Sequence, residues 1–365
     1  MKALNIHIAC GGTGGHIFPG LATANVLRRR GHAVTLLLAG KDVERIAVAG
    51  WDGPVRVAIS EGFASGAGWG AVRAAARMLR AISQSYAQMR QAPPDVLLGM
   101  GSYASVGPVT AALLLGRPVV LHEANAVPGR MVSLYARWAA RVGVMFEETR
   151  FYLKRRAVVF TGMPLRPEAA AGAGEPRPES AAFTVLVMGG SRGARRLNEL
   201  ATEAAARLNG AARATRFIHL TGAADEERVR AAYAAAGVEH EVQAFCPEMG
   251  GVYHRADLAI TRSGAATCAE LLAHRLPALL VPYPYAARHH QHANARAMSR
   301  YGASDWVDER DLESAWLADY IDGMRRAPER RHRMAADAAR YAQPAADVAL
   351  ADVVEEAAHA STPRT

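Results

Sequence analysis

"IHIACGGTGGHIFPGLATANVLRRRGH", residues Ile6 to His32, decides the fold class. A short apolar run leads into glycines 11, 12, 14 and 15, with Thr13 among them and His16 at the rim, and a helical pattern follows. A glycine-rich turn between a strand and a helix holds an anion or a polar ligand with backbone N–H groups and the helix dipole. Two common phosphate motifs are excluded. Gly12-x-Gly14-x-x-Ile17 lacks the third glycine of the dinucleotide fingerprint, and no acidic residue closes the second strand at residues 36–39. No Lys-Ser/Thr pair ends the turn, so it is not a Walker loop. His16 has two readings: a helix cap, or the side chain that takes a proton near neutral pH.

Working outward, apolar runs alternate with helical patterns. Strands are expected at residues 4–9, 33–38, 96–98, 119–122 and 142–145, then at 184–188, 216–220, 241–244, 258–261 and 278–281. Helices fit between them, as at 20–30, 70–91 and 197–209. Runs without polar alternation are strands buried on both faces, so the fold class is α/β with parallel sheets and right-handed crossovers. The 365 residues exceed one ordinary core. "AAAGAGEPRPESAAF", residues 169–183, is rich in Pro, Gly and Ala and reads as part of a linker. The expected division is a first domain at 1–165, a linker at 166–182, a second domain at 183–340 and a closing helix in 341–365. Both domains open with strand, glycine turn and helix, the second at "GGSRGARRLN", residues 189–198. Two doubly wound domains facing a deep cleft is the simplest arrangement, with ligands beyond the carboxyl ends of the strands.

Charge and cysteine usage narrow the class. The net charge of +9 is carried by residues 1–160, with 19 Lys/Arg against 8 Asp/Glu, whereas residues 161–365 have 24 against 26. A basic half suits phosphorylated ligands or an anionic membrane. No Lys/Arg-and-aromatic strand pattern supports nucleic acid. Cys10, Cys246 and Cys268 form no CxxC pair, which excludes a zinc ribbon and fits a reducing compartment. No secretory signal is visible at residues 1–9, and no run of about 18 apolar residues suggests a membrane span. A cytoplasmic protein is expected.

Other segments carry candidate chemistry. In "TRSGAATCAELL", residues 261–272, the turn at Ser263, Gly264 and Ala265 opens a helix toward a phosphate, and Glu270 suits ribose hydroxyls. Gln291 and Asn294 lie three apart, on one helical face, and amides suit sugar hydroxyls. His289, His290 and His292 lack clean ligand spacing, so no metal is expected. "GMGSYASVGP", residues 99–108, and "HEANAVPGR", residues 122–130, follow strands and face the same edge; plain strand-end turns are the alternative. Residues 62–89 form a basic amphipathic segment with Trp69, Arg73, Arg77 and Arg80, suited to an anionic interface or to ordinary packing.

Taken together, GGTGGH, GMGSY, HEAN, GMPLR, GGSRGA, RSGA…E, LPALLVPYP and QHANA, in this order and spacing between about residues 4 and 302, resemble the MurG family. These are UDP-N-acetylglucosamine:undecaprenyl-diphospho-muramoylpentapeptide N-acetylglucosaminyltransferases. The resemblance implies the GT-B fold, two Rossmann-like domains, and no cofactor. It implies inverting transfer of GlcNAc from UDP-GlcNAc to the C4 hydroxyl of MurNAc in lipid I, giving lipid II for peptidoglycan. It implies a peripheral enzyme on the cytoplasmic face of the cell membrane, working beside cell-wall synthesis proteins. His16 would be the base. Thr13, Gly14, Gly15, Asn125, Arg166, Gly190, Ser191, Cys246, Ser263, Gly264, Ala265, Glu270, Gln291 and Asn294 would meet the donor, Arg166 and the backbone near Cys246 framing uracil. Gly12, Gly101, Ser102 and Tyr103 would meet the acceptor. The chain departs from the family pattern at Ala124, where glutamine is usual, Met163 (asparagine), Arg192 (glutamine), Ser102 (glycine) and near Arg288 (an acid). The rival classes are another GT-B UDP-sugar transferase acting on a glycolipid, a UDP-GlcNAc epimerase, and a non-catalytic binder. Dependence of turnover on the lipid acceptor separates them.

Overall fold

The structure, a computed structural model, describes residues 2–57, 69–153, 157–176, 182–190, 193–208 and 215–360. It divides into two compact units, Met1–Arg166 with Ala345–Thr365, and Pro167–Pro344.

In the first unit, strands β1 (Asn5–Ala9), β2 (Ala33–Leu38), β3 (Val55–Val57), β4 (Val96–Gly99), β5 (Val119–Glu123), β6 (Arg141–Val144) and β7 (Val158–Phe160) form one sheet. Its order is β3-β2-β1-β4-β5-β6-β7, with every pairing parallel. The crossovers carry α1 (Gly14–Arg29), α2 (Asp42–Ala47), α3 (Trp69–Gln91), α4 (Val106–Leu114) and α5 (Arg130–Tyr135). The pleat sends Ile6 and Ile8 to one face and Ala9, Leu97 and Leu121 to the other, so the sheet is buried on both sides.

In the second unit, β8 (Phe183–Met188), β9 (Thr215–Leu220), β10 (Glu239–Gln243), β11 (Leu258–Thr261), β12 (Ala278–Leu280) and β13 (Ser304–Trp306) pair in the order β10-β9-β8-β11-β12-β13, again all parallel. Its helices are α6 (Pro167–Ala170), α7 (Arg195–Arg207), α8 (Glu226–Ala235), α9 (Met249–Arg255), α10 (Ala265–Ala273), α11 (His290–Arg300), α12 (Ser314–Arg326) and α13 (Pro328–Tyr341). One core joins Val185, Val187 and Phe217 of the sheet to Leu197, Tyr233, Leu317 and Ile321 of the helices.

Three features differ from the sequence expectations. The sheets gain β3, β7 and β13, each of three residues at a sheet edge, too short for periodicity to register. Helix α1 begins at Gly14 rather than at residue 20, running through Pro19. Gly14 and Gly15 weaken the sequence signal but stand in the first turn, whose N–H groups need no i−4 partner, and Pro19 lies further in, where it removes one helical N–H. The stretch read as a linker begins with α6, which packs on α9 and α10 and buries Ala169, so residues 167–176 belong to the second unit; residues 177–181 lie outside the described residues.

Helix α14 (Ala346–Ala360) lies in the first unit and packs on α1. Leu350, Ala351, Val354 and Ala357 join the core of Ile6, Ile8 and Leu36. A polar clasp fixes its register. His32 Nδ1 accepts the Leu4 N–H at 3.1 Å, so its Nε2–H donates to Glu355 at 2.8 Å, and Arg30 bridges Glu355 (2.8 Å) and Asp352 (2.7 Å). Leu350→Ala should remove about 2–5 kcal/mol of stability by opening a cavity against β6, where Leu350 meets Gly143. Urea denaturation measures this, and a loss below about 1 kcal/mol would mean that α14 is not seated in this core.

Candidate active site

The carboxyl edge of the first sheet is built around one buried acid. Glu44 of α2 accepts four backbone N–H bonds, from Gly12 (2.6 Å), Ala39 (2.9 Å), Gly40 (2.7 Å) and Lys41 (3.1 Å). It thereby ties the turn after β1 to the turn after β2. Gly12 takes φ +125, a conformation that L side chains rarely adopt. The turn after β4 is stitched on by two serines. Ser102 donates to the Gly11 carbonyl, and Ser105 donates to the Ala9 carbonyl at 2.8 Å. Tyr103 stands beside them with the Lys41 ammonium 5.1 Å from its ring centroid.

Helix α1 points its N-terminus into this edge. Its first turn has no acidic residue, and Thr13 makes no side-chain cap. The Thr13 hydroxyl instead meets His16 Nδ1 at 3.1 Å. Burial, and then the nearby His122, hold His16 down to about 4, so its imidazole is neutral at pH 7. His122 is buried and also held down to about 4, its Nε2 2.9 Å from the Gly162 carbonyl. Glu123 is pushed up by burial, while its carboxyl accepts from Asn125 N (2.9 Å), Asn125 Nδ2 (3.2 Å) and Gly129 N (2.7 Å). The HEAN segment is thus organised by its glutamate, which clamps Asn125. Arg166, expected at uracil, sits in the first unit with its guanidinium 4.7 Å from the Phe18 ring centroid.

The second unit has a parallel construction. After β8 the chain turns through Gly190 (φ +91) and Gly193 (φ +73). A Cβ on Gly193 would lie 2.1 Å from the Thr221 carbonyl, so only glycine permits this approach. Ser191 and Arg192 lie outside the described residues. The turn is held from below by Asn198, fully buried on α7. Its Nδ2 donates to the Thr221 carbonyl (3.0 Å) and Asp225 (2.9 Å), and its Oδ1 accepts from His219 Nε2 (3.0 Å). His219 Nδ1 then accepts from the Tyr233 hydroxyl at 2.9 Å. The amide orientation sets the tautomer.

The turn after β11 places Gly264, without a side-chain cap, at the start of α10, whose first turn is free of acids. Ser263 donates to the Gln291 carbonyl at 2.8 Å, and the Gln291 Oε1 accepts the Tyr283 N–H at 2.9 Å. Asn294 is fully buried and donates to the Ser263 carbonyl at 3.0 Å. It positions the Ser263 turn. Glu270 accepts from the buried Tyr253 hydroxyl at 2.6 Å. Arg262 is buried, bonds the Val281 carbonyl at 3.1 Å and pairs with Glu309. Cys246 lies half-buried beyond β10, next to the exposed Phe245. Among the described residues no group of three His, Cys, Asp or Glu is arranged for a metal. In the histidine run, His292 pairs with Asp308 at 2.8 Å, and His290 Nδ1 lies 2.7 Å from the Ala287 carbonyl.

Each unit therefore gathers its own candidates. Gly12–His16, Gly101–Tyr103 and Asn125 meet at the edge of the first sheet; Gly190, the Ser263–Ala265 turn, Glu270 and Gln291 meet at the edge of the second. Sequence reasoning missed Glu44, Lys41, Asn198, His219, Tyr233 and Tyr253. Glu44 carried a weak signal, an acid in the third position of a helix beginning just past a strand. The others are placed only by packing. On α3, Arg73, Arg77 and Arg80 are exposed beside Val72 (58% exposed) and Leu79 (67%), whereas Met78 and Tyr86 pack on the core. Residues 62–68 and the Trp69 side chain lie outside the described residues.

Comparison with known proteins follows this geometry. Residues 6–144 match the glycosyltransferase family 28 N-terminal domain and residues 184–350 the C-terminal domain of the same family. A UDP-N-acetylglucosamine–N-acetylmuramyl-(pentapeptide) pyrophosphoryl-undecaprenol N-acetylglucosamine transferase of Hahella chejuensis is 38% identical over 95% of this chain and 96% of its own. The protein of that name from Myxococcus xanthus is 34% identical over 96% and 92%. The crystal structure of Acinetobacter baumannii MurG aligns with a TM-score of 0.81 at 28% identity, covering 97% of this chain and 99% of the other. The chain belongs to the MurG family. Its fold is GT-B. The calicheamicin glycosyltransferase CalG4, with a TM-score of 0.71 at 17% identity and full coverage of both chains, shares the fold.

The buried histidines set a pH dependence. Burial, the leading cause in each, holds His219 down to about 3 and His7 and His122 to about 4. Folding favours their neutral forms, so this stability is complete above about pH 6.5 and is lost as pH falls toward the folded values. By pH 5 each such histidine should have cost about 2 kcal/mol. Urea midpoints at pH 7 and pH 5 test this, and His219→Gln should flatten the slope by about one proton's worth.

Proposed function

We propose that this chain transfers N-acetylglucosamine, with inversion, from UDP-GlcNAc to the C4 hydroxyl of MurNAc in undecaprenyl-diphospho-MurNAc-pentapeptide, making the β1→4 disaccharide of lipid II. The observation that carries this reading is near-full-length identity of 34–38% to transferases of that one name. Both halves of the match contain a built carboxyl-edge turn.

In this reading the first unit takes the acceptor and the second the donor. The acceptor C4 oxygen attacks C1 of GlcNAc, the bond from C1 to the diphosphate oxygen breaks, and the hydroxyl proton passes to His16. The competent tautomer donates Nδ1–H to Thr13, leaving the Nε2 lone pair to accept that proton. Negative charge grows on the departing UDP. The N–H groups at the first turns of α7 and α10 suit that charge without a metal, because neither helix carries an acid in its first turn. Glu270, fixed by Tyr253, accepts from the ribose hydroxyls, Gln291 meets GlcNAc, and the backbone near Cys246 meets uracil. Arg166 is assigned to bracing α1 through Phe18.

The acceptor is a polyprenyl lipid, so the protein works at a membrane surface. Among the described residues no helix is long and apolar enough to cross one. We assign the docking face to α3, where three exposed arginines flank Val72 and Leu79. This supports a peripheral location on the cytoplasmic leaflet, where the substrates meet.

UDP release should occur only when UDP-GlcNAc and lipid I are both present, and His16→Ala should lower kcat by about 10²–10⁴. Donor turnover without lipid would replace this reading with an epimerase or hydrolase, and near-full activity of the variant would remove His16 as the base. Reversing the charges at Arg73, Arg77 and Arg80 should weaken binding to phosphatidylglycerol liposomes; unchanged binding would overturn the role of α3.

A further inference from the structure

One cation at the first carboxyl edge is left without a task by this mechanism. Lys41 follows β2 and is exposed, on a loop whose backbone is fixed with unusual completeness. Its N–H and that of Gly12 rest on the two oxygens of one carboxylate, Glu44, at 3.1 and 2.6 Å. The root of the Lys41 side chain is therefore held within a carboxylate's width of the glycine turn. The side chain extends over Tyr103, its ammonium 5.1 Å from the ring centroid. Tyr103 belongs to the turn that Ser102 bonds to the Gly11 carbonyl. Lys41, Gly12 and Tyr103 thus converge at one place, beside the N-terminus of α1.

The Lys41 ammonium is the exposed cation there. The Glu44 carboxylate is buried and spent on four N–H donors, and the ammonium faces an aromatic ring rather than a carboxylate among the described residues. A cation over a ring keeps donors directed away from it. An ammonium serves phosphate as a point charge on a flexible stem, which suits a ligand that arrives from a moving lipid surface. We propose that Lys41 binds the diphosphate of the prenyl-diphosphate acceptor, with Tyr103 as the platform that aims it. This rests on the reading above that the first unit takes the acceptor. The same chemistry would be offered by an anionic lipid headgroup or by the donor's diphosphate, so the test has to separate the three.

Steady-state kinetics with a water-soluble lipid I analogue bearing a short prenyl chain, in the absence of vesicles, does so. Lys41→Ala should raise the acceptor KM about tenfold, leave the donor KM within about twofold, and be rescued largely by Lys41→Arg. Equilibrium binding of farnesyl diphosphate, which carries no sugar, should weaken about tenfold in the same variant. That arm stands even if sugar transfer fails, and so separates this inference from the activity itself. The exposed position of Lys41 leaves folding intact. An unchanged acceptor KM and farnesyl diphosphate affinity would overturn the proposal. So would an equal rise in the donor KM, or an effect seen only with anionic vesicles.

Discussion

A parallel sheet gathers the carboxyl ends of its strands at one edge, and the turns there must approach closely with few partners for their backbone groups. In the first unit that demand is met by the four N–H bonds to Glu44. In the second it is met by the Asn198 amide, which joins α7 to the Thr221 carbonyl and to His219. Each is a buried polar side chain, costly unless every bond is made, and each is well supplied with partners. The glycine turns depend on these two braces, and the candidate site depends on the turns.

Because the braces act from below, the helix starts above them are left open. Thr13, Ala194 and Gly264 make no side-chain cap, and the first turns of α1, α7 and α10 contain no acid. A helix start without an internal anion is a place for an external one. An enzyme that handles a nucleoside diphosphate and a lipid diphosphate needs such sites in both halves. In the proposed mechanism the neutral His16 complements them: a protonated imidazole could hold phosphate, but it could not take a proton.

The same economy has a cost. Histidines buried at or beneath these edges stay neutral below pH 6.5 only because folding desolvates them, so the fold loses stability as the pH falls. The clasp of His32, Arg30 and Glu355 is another polar contact, and it holds α14 against α1.

Much of this was legible in residue order. Strand and helix alternation, the two glycine turns and His16 are local patterns, set by periodicity of two against 3.6 and by glycine's freedom at positive φ. They determined the α/β class, the two units and the family. The roles of individual polar residues were decided by the tertiary structure. Asn294 and Asn198 are both helical amides in sequence, and folding buries both and sets each against the carbonyl of a strand-end turn. Glu44 and Lys41 stand three residues apart, one turned into the core on four N–H groups and the other out over Tyr103. Side-chain direction depends on which turns the sheet brings side by side, and β1, β2 and β4 are neighbours only in the folded sheet.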